Sequence, residues 1–355
     1  MEYQVELVDI VKDFKSFRAV DQVNLQIKKG EIVSLLGSSG CGKTTTLRMI
    51  AGLLKPTKGQ IKIAGVDVTA LPPYKRDISM VFQNYALFPH MTVLDNVMYG
   101  LKNKKIYDKK TMREKADAVL SVVQLTGQEH KYPRQLSGGQ QQRVSLARAM
   151  AVHPKVILFD EPLSNLDAKL RVQTRVEIRN LLKQAGITAL YVTHDQEEAL
   201  TISDRIAIMH QGHIEQVSEP LELYNVPKTT FVAGFIGQAN LFSGKVETEG
   251  DRTWFRTEDG MQILTTISSS QVEQSEKSLI VRPENVIITK QQSELDNCFL
   301  GKVVEKQFLG NMIRYSVSVS GGRILTAQIH PDDDISADGE VYVSFQKEKT
   351  ILVDN

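Results

Sequence analysis

Short apolar runs alternate with amphipathic segments over the first two thirds of the chain. Several of these runs contain almost no charged residues, which is typical of strands buried on both faces of a parallel sheet. They lie at residues 32–36, 78–82, 156–159, 189–193 and 205–209. Because strands that alternate with helices form such sheets, the pattern predicts an α/β domain with a largely parallel sheet.

A helical pattern separates the second run from the third. Thr111 and Glu114 have the spacing of a capping box, which predicts a helix that begins near Thr111. The apolar residues that follow share one helical face: Ala116, Val119, Leu120 and Val123. We therefore expect a helical subdomain over about residues 84–150, inserted into the α/β core.

The pattern changes near residue 238, after which short alternating runs are separated by Gly, Asp and Ser. This predicts a small all-β domain over residues 238–355. Residues 240–246 match residues 297–303 at Asn, Phe, Gly, Lys and Val, which indicates two similar halves. The alternative is a chance similarity between two β-rich segments.

Composition narrows the class of protein. Hydrophobic residues make up 41% and charged residues 24% of the chain, as in ordinary soluble globular proteins. The net charge of +1 gives no electrostatic reason to expect nucleic acid as a partner. Cys41 and Cys298 are too far apart in sequence to indicate a disulfide framework or a zinc site. No apolar run approaches the roughly 20 residues that a membrane-spanning helix needs.

The first chemical motif is a phosphate-binding loop at residues 37–44, GSSGCGKT. A predicted strand leads into it and a predicted helix leads out. Its glycines let backbone N–H groups turn inward on an anion, and the helix N-terminus adds partial positive charge. Lys43 is expected to reach the β- and γ-phosphates and Thr44 to offer a hydroxyl to Mg²⁺. The alternative is an ordinary glycine-rich turn.

The second motif is a pair of carboxylates, Asp160 and Glu161, at the end of the apolar run 156–159. Ligands bind at the carboxyl ends of strands in open α/β sheets. Asp160 suits Mg²⁺, and Glu161, which points elsewhere, suits a base that polarises the attacking water. By itself such a run before Asp-Glu is also common at strand ends with a solvated turn.

The third motif is residues 136–140, LSGGQ, at the start of a predicted helix. A serine and two glycines at a helix start make a second anion-binding terminus, without a lysine. The structural alternative is a serine-capped helix with flexible glycines.

In this order the motifs resemble those of the ABC ATPases. The resemblance implies an α/β P-loop ATPase core with an inserted helical subdomain, over residues 1–237, that binds ATP and Mg²⁺. Residues 84–93, 161–167 and 193–199 look like the importer ATPases for maltose, polyamines, ferric iron, sulfate and phosphonates. Those proteins carry a C-terminal β-barrel, so the resemblance implies an all-β, OB-like regulatory domain over residues 238–355.

The resemblance also implies roles for single residues, each with a structural alternative. Phe14 stacks on adenine or packs as an ordinary ring, and Gln83 links the nucleotide to a transmembrane partner or bonds the backbone. His194 contacts the γ-phosphate or is structural, and Asp167 acts across a dimer interface or caps a helix. The nucleotide-binding set is Phe14, Gly37, Ser38, Ser39, Gly40, Cys41, Gly42, Lys43, Thr44, Thr45, Ser137, Gly139, Gln140 and Asp167. The catalytic set is Lys43, Gln83, Glu161 and His194, and the Mg²⁺ set is Thr44, Gln83 and Asp160.

By the same resemblance, two copies of the chain sandwich two ATP molecules and drive two transmembrane permease subunits. The dimer lies peripherally on the cytoplasmic face of the membrane, with an external solute-binding protein as an indirect partner and no nucleic acid. The alternatives are a soluble ABC ATPase of DNA repair or the ribosome and a P-loop kinase or GTPase. An ATPase of DNA repair needs a long coiled coil, and a ribosomal factor needs two cassettes, whereas this sequence has no sustained heptad pattern and one phosphate loop. A kinase or GTPase would leave Ser137 and His194 unexplained.

Overall fold

The computed structural model describes residues 3–104, 107–266, 277–335 and 339–354. The chain divides into two compact units, Met1–Pro220 and Leu221–Asn355. The strands of the first unit are β1 (Tyr3–Phe14), β2 (Phe17–Lys28), β3 (Ile32–Leu36), β4 (Lys58–Ile63), β5 (Val66–Asp67), β6 (Ile78–Val81), β7 (Val156–Asp160), β8 (Ala189–Thr193), β9 (Arg205–His210) and β10 (His213–Ser218). Its helices are α1 (Lys43–Ala51), α2 (Val93–Lys104), α3 (Lys109–Val122), α4 (Gly138–Ala151), α5 (Ala168–Gln184) and α6 (Gln196–Ile202).

A six-stranded sheet in the order β10-β9-β3-β8-β7-β6 forms the centre of the first unit. Strands β3, β6, β7, β8 and β9 are parallel, and β10 pairs antiparallel with β9. The five apolar runs therefore form the parallel strands, as predicted. Every residue of β3 and β8 is buried, because helices or the second sheet cover both faces. The carboxyl ends of β3, β7 and β8 meet at one edge of this sheet.

A four-stranded antiparallel sheet in the order β2-β1-β4-β5 was not predicted. Its signal is present in the sequence, because Val23, Leu25 and Ile27 are buried and alternate with exposed residues along β2. The turn between β1 and β2 places Phe14 directly opposite Phe17.

Helices α2, α3 and α4 form the helical part between β6 and β7. The predicted apolar face of α3 is confirmed, because Ala116, Val119, Leu120 and Val123 are all buried. The predicted start near Thr111 is wrong by two residues, since α3 begins at Lys109. The Asp108 carboxylate accepts a hydrogen bond from the Thr111 backbone N–H at 2.9 Å and so caps the helix. The Thr111 hydrogen bonds hold the pKa of Asp108 below its usual value.

The described part of the second unit contains helices α7 (Pro220–Asn225) and α8 (Thr230–Phe235) and ten strands. The strands are β11 (Asn240–Glu249), β12 (Arg252–Thr257), β13 (Gln262–Thr265), β14 (Lys277–Val281), β15 (Ile287–Thr289), β16 (Asn297–Phe308), β17 (Ile313–Val319), β18 (Ile324–Ile329), β19 (Glu340–Phe345) and β20 (Thr350–Asp354). They form two five-stranded sheets, β13-β12-β11-β14-β20 and β15-β19-β16-β17-β18.

The two sheets have the same internal order, with their last strands exchanged. Strands β11–β14 of the first half correspond to β16–β19 of the second half. The next strand of the first half, β15, pairs with β19, whereas β20 of the second half pairs with β14. Each sheet is thus completed by a strand from the other half, and the two halves form one interlocked body.

Two asparagines of the sequence repeat join the sheets. Asn240, at the start of β11, exchanges two hydrogen bonds with the Thr326 backbone in β18, at 2.7 and 2.8 Å. Asn297, at the start of β16, does the same with Leu264 in β13, at 2.7 and 3.0 Å. Each side chain therefore satisfies the backbone of the other sheet's edge strand, which otherwise has unpaired groups.

The division between the units lies earlier than the predicted boundary at residue 238. Helices α7 and α8 pack with the second unit because Arg282 holds them there. Its buried guanidinium donates to the carbonyls of Tyr224, Ala233 and Gln238 at 2.8–3.0 Å. Three charge-assisted bonds to backbone carbonyls tie these segments to the end of β14.

Replacing either repeat asparagine by alanine should destabilise the second unit by about 2–4 kcal/mol, because two buried backbone groups lose their partners. Trp254 in β12 is the one tryptophan of the chain, so its fluorescence during urea unfolding reports on this unit. Asn240→Ala and Asn297→Ala should lower the midpoint by similar amounts. Asn311→Ala, at an exposed position, is the control and should stay within about 0.5 kcal/mol of wild type. An unchanged urea midpoint in Asn297→Ala would show that the hydrogen bonds between Asn297 and the Leu264 backbone do not stabilise the unit.

Candidate active site

A cleft of about 500 Å³ opens in the first unit at the carboxyl edge of the parallel sheet. Its walls come from the loop after β3, the starts of α1 and β2, and the residues that follow β7 and β8. The lining residues are Phe17, Ala19, Ser39, Gly40, Gly42, Lys43, Thr44, Thr45, Glu161 and His194.

The phosphate loop can close tightly only because glycine stands at two of its positions. A Cβ on Gly37 would lie 2.2 Å from the Met209 carbonyl oxygen, and one on Gly42 would lie 2.5 Å from that of Ala19. Gly42 also has φ 108°, a left-handed conformation that side chains disfavour. Both positions therefore require glycine for steric reasons alone.

Lys43 begins α1 with its ammonium group folded onto this loop. Its Nζ donates to the carbonyls of Gly37 and Ser38, both at 2.8 Å. Lys43 is almost fully buried, so its charge lies inside the loop and not in solvent. The helix N-terminus and this ammonium together make the cleft a site for an anion.

Glu161 and His194 also line the cleft. Oε2 of Glu161 and Nδ1 of His194 are 3.2 Å apart. Glu161 has φ 46°, which is unusual for a residue with a Cβ, and its N–H donates to the Val192 carbonyl at 3.0 Å. The Ser164 hydroxyl donates to the Glu161 carbonyl at 3.0 Å. The strained backbone is thus held on both sides and directs the carboxylate away from the strand.

A buried polar network fixes the segment that carries His194. The Glu198 carboxylate accepts a hydrogen bond from the Thr193 hydroxyl at 2.8 Å. Burial raises the pKa of Glu198, and the Thr193 bond partly offsets this. Asp195 accepts from the Glu198 N–H at 3.1 Å and from buried Arg175 at 3.0 Å. His194 is the residue of this segment that lines the cleft.

Asp160 has the environment of a metal ligand. Burial raises its pKa, Arg48 nearby lowers it, and the neighbouring Glu161 raises it further. Among the described residues no hydrogen-bond donor is in contact with the carboxylate, so its charge is only weakly compensated. A hydroxyl from Thr44 and the amide oxygen of Gln83 are the other hard oxygen donors predicted for this place. Oxygen donors of this kind are the ligands that Mg²⁺ takes from a protein, alongside phosphate oxygens and water.

Two phenylalanines form an aromatic wall at one end of the cleft. The rings of Phe14 and Phe17 are stacked, with centroids 5.4 Å apart and planes at 23°. Both are substantially exposed, Phe14 at 40% and Phe17 at 59%, so neither is a core residue. Phe17 lines the cleft and was missed by the sequence analysis, whereas the predicted Phe14 stacks on it and is not among the lining residues.

The third motif, residues 136–140 (LSGGQ), which we call the signature segment or signature, has a local structural role. Ser137 caps α4, with its hydroxyl accepting from the Gln140 N–H at 3.4 Å while the Gln140 side chain accepts from the Ser137 N–H at 3.0 Å. Asp167 likewise caps α5 by accepting from the Leu170 N–H at 3.0 Å. A Cβ on Gly138 would lie 3.1 Å from Leu166, so the two capped helix starts pack together.

The cleft brings together only part of the predicted residues. Of the nucleotide-binding set, Ser39, Gly40, Gly42, Lys43, Thr44 and Thr45 line it, and Glu161 and His194 join them from the catalytic set. Among the described residues, the following predicted ones are not in the lining: Phe14, Gly37, Ser38, Cys41, Gln83, Ser137, Gly139, Gln140, Asp160 and Asp167. The signature at the start of α4 therefore does not contribute to the cleft of its own chain.

Comparison with protein families gives two matches. The ABC transporter family profile matches residues 20–164. The TOBE domain profile matches residues 279–353, within the second unit.

Similar proteins span nearly the whole chain. The chain is 43% identical over 346 residues to a Fe(3+) ions import ATP-binding protein from Rhizobium meliloti. The matched region covers 97% of this chain and 96% of the relative. The chain is 44% identical over 337 residues to a spermidine/putrescine import ATP-binding protein from Rubrobacter xylanophilus, with 94% and 88% covered. A solved dimeric ATP-binding cassette in a post-hydrolysis state with ADP and Pi is 34% identical, with a TM-score of 0.53, and covers 61% of this chain and 98% of that chain.

The aromatic wall predicts a measurable contribution to ATP binding. Phe14→Ala should weaken ATP binding by roughly tenfold, as expected for loss of a base–aromatic stack, and Phe14→Tyr should be tolerated. Phe17→Ala, measured beside it by titration calorimetry, identifies the ring that touches the base, since the larger loss belongs to that ring. Wild-type affinity in both alanine variants would show that the wall does not bind the nucleotide.

Proposed function

The chain belongs to the ATP-binding proteins of ABC importers, and we propose that two copies of it form two shared ATP sites that drive solute uptake. It is an ATPase whose activity is coupled to transport. The observation that carries the proposal is the separation of the cleft, which has the lysine, from the signature at the start of α4. Each copy therefore supplies half of each site.

The cleft binds the triphosphate of ATP. Backbone N–H groups of the phosphate loop and the Lys43 ammonium bind the β- and γ-phosphates, and the aromatic wall of Phe14 and Phe17 stacks on adenine. Thr44, Gln83 and Asp160 hold Mg²⁺, which neutralises charge on the phosphate oxygens. The weakly compensated charge of Asp160 supports this assignment.

Glu161 acts as the base that orients and polarises the attacking water. Its contact with His194 supports this role, because both side chains line the same cleft as Lys43. His194 contacts the γ-phosphate with the ring edge that faces away from Glu161. Gln83 completes the set by sensing the nucleotide from its own loop.

The other half of each site comes from the second copy. Ser137, Gly139 and Gln140 at the start of α4 meet the γ-phosphate held by the partner's phosphate loop, and Asp167 lies at the same interface. A helix start with two glycines presents unpaired N–H groups to an anion, which supports this pairing. ATP then holds the dimer closed from both sides, and hydrolysis lets it open.

The dimer works on two permease subunits at the cytoplasmic face of the membrane. No helix in the described ranges of the chain is long and apolar enough to cross a membrane. The solute is ferric iron or a polyamine, as the names of the relatives indicate, delivered by an external solute-binding protein. The second unit, with its TOBE match, serves as a regulatory domain.

Glu161→Gln keeps the shape of the side chain and removes its charge. ATP should still bind with an affinity near wild type, while turnover falls by roughly 10² or more, because the base is lost. Single-turnover hydrolysis and ATP binding by the full chain measure the two effects separately. Near-normal hydrolysis in this variant would remove Glu161 from the mechanism.

Mixing two inactive chains tests the shared site. Lys43→Ala keeps the signature and loses the loop, and Ser137→Arg does the reverse, so each homodimer lacks one half of every site. Random pairing of equal amounts gives heterodimers with one intact site, which should restore up to about a quarter of wild-type ATPase activity. A chain with both substitutions is the control, because mixed with either single variant it completes no site.

Two results would contradict the shared site. One is full activity of either single variant alone. The other is a heterodimer, demonstrated by differential tagging, that has no more activity than the parent homodimers.

A further inference from the structure

The loop between β6 and α2 carries Gln83 and has a strained backbone. Tyr85 has φ 59° and Ala86 has φ 46°, two consecutive left-handed residues that both have a Cβ. Such conformations persist only where surrounding contacts hold them. The contacts that hold this loop therefore determine where Gln83 lies.

Helix α4 supplies most of these contacts, and it does so through the loop's carbonyl oxygens. Arg148 donates to the Ala86 carbonyl at 2.6 Å and to the Tyr85 carbonyl at 2.9 Å. The Ser145 hydroxyl, one turn earlier in α4, also donates to the Tyr85 carbonyl at 2.9 Å. These bonds go to backbone atoms, so the grip depends on the course of the loop and not on its side chains.

Arg148 has no carboxylate partner among the described residues. Burial lowers its pKa, and its guanidinium lies 5.5 Å from the centre of the Phe88 ring. A desolvated guanidinium without an anion forms strong hydrogen bonds to the acceptors it has. The charge of Arg148 is therefore directed to the Gln83 loop alone.

A third contact reaches the loop from the segment before α5. The Asn165 side-chain amide donates to the Gln83 carbonyl at 2.9 Å. Asn165 lies two residues before Asp167, in the segment that packs on the start of α4. The Gln83 loop is thus held by the two elements that bear Ser137 and Asp167.

The joint between α4 and the loop also contains polar groups without partners. The hydroxyl of Tyr85 and both amide atoms of Gln142, one turn before Ser145 in α4, are buried and have no hydrogen-bond partner among the described residues. Buried polar groups are normally satisfied by protein atoms or ordered water, so these atoms can take a new partner without breaking an existing hydrogen bond.

We propose that Arg148 is a positioning residue that couples the two ATP sites of the dimer. The inference rests on the proposed function, in which Gln83 serves the ATP of its own chain and Ser137 serves that of the partner. Arg148 lies eleven residues after Ser137, about 16 Å along the same rigid helix. When Gln83 engages its own ATP and its loop moves, Arg148 moves α4 with it and changes the position of Ser137 at the other site.

The test compares variants of the full chain that loosen this grip with one that loosens α4 elsewhere. Arg148→Met keeps an unbranched, mostly apolar side chain and removes the guanidinium donors, and Arg148→Lys restores a cation with hydrogen-bond donors. The matched control is Arg143→Met on the same helix, since Arg143 bonds Glu177 at 2.6 Å and Gln124 at 3.2 Å and does not reach the Gln83 loop. Asn165→Ala and Ser145→Ala remove one contact each and are mild enough to fold.

We measure steady-state ATP hydrolysis against ATP concentration, and ATP binding to the dilute chain. Two coupled sites give a Hill coefficient above 1 and at most 2 in the wild type. Arg148→Met should bring it close to 1 with the single-site affinity changed by no more than about twofold, since coupling and binding are separate quantities. Arg148→Lys should recover cooperativity, Asn165→Ala and Ser145→Ala should lower it in part, and Arg143→Met should leave it unchanged.

A wild-type Hill coefficient of 1 overturns the proposal, as does a folded Arg148→Met that keeps wild-type cooperativity. An equal loss in Arg143→Met would show that general loosening of α4 is the cause, which also overturns it. If Arg148→Met does not fold, unchanged cooperativity in the Asn165→Ala/Ser145→Ala double variant decides against the proposal. Failure of the shared site is distinct, because Glu161→Gln chains would then remain monomeric in ATP, whereas failure of the coupling leaves that dimer intact.

Discussion

The active site depends on the parallel register of strands β3, β8 and β7. Leu36 of β3 lies opposite Thr193 of β8, and Val192 of β8 lies opposite Asp160 of β7. The phosphate loop, Glu161 and His194 each follow directly after one of these residues, so they emerge side by side. Because side chains along a strand alternate between faces, a slip of one residue would turn one of these groups away from the others. The apolar packing that determines this register therefore also determines the relative positions of the phosphate loop, Glu161 and His194.

Strained backbone occurs at two places where the chain leaves this frame. Glu161 and the pair Tyr85 and Ala86 adopt left-handed conformations although all three have a Cβ. Each conformation costs of order 1 kcal/mol or more and is held by hydrogen bonds to neighbouring elements. The strain gives the carboxylate its direction at one place and, at the other, makes the course of the Gln83 loop depend on α4. Local stability is lower in both places, and the positions of functional groups are better defined.

The elements that could be predicted from the sequence are those that depend on a short-range pattern of residues. The parallel strands and the apolar face of α3 follow from periodicity within a few residues, and the phosphate loop from a motif of eight. Phe17 was missed because its position depends on the two-residue turn that places it opposite Phe14. The rules for two-residue hairpins could have predicted this pairing from the sequence. The exchange of β15 and β20, and the grip of Arg148 on a loop 62 residues earlier, depend on long-range contacts that no local pattern encodes.

Two structures of this protein are incomplete until another part of the chain or a second copy joins them. One is each sheet of the second unit, and the other, under the proposed function, is the ATP site of the first unit. In the second unit each sheet lacks one strand until the other half of the same chain supplies it. In the first unit the phosphate loop follows β3, whereas the signature follows helices inserted between β6 and β7, and the described cleft has no lining residue from α4. A sheet that is completed by a strand of its own chain is closed by folding and stays closed. In the proposed dimer, a site that a second copy completes is closed only by the ligand at the junction, so ATP controls that closure and has no influence on the pairing of the sheets.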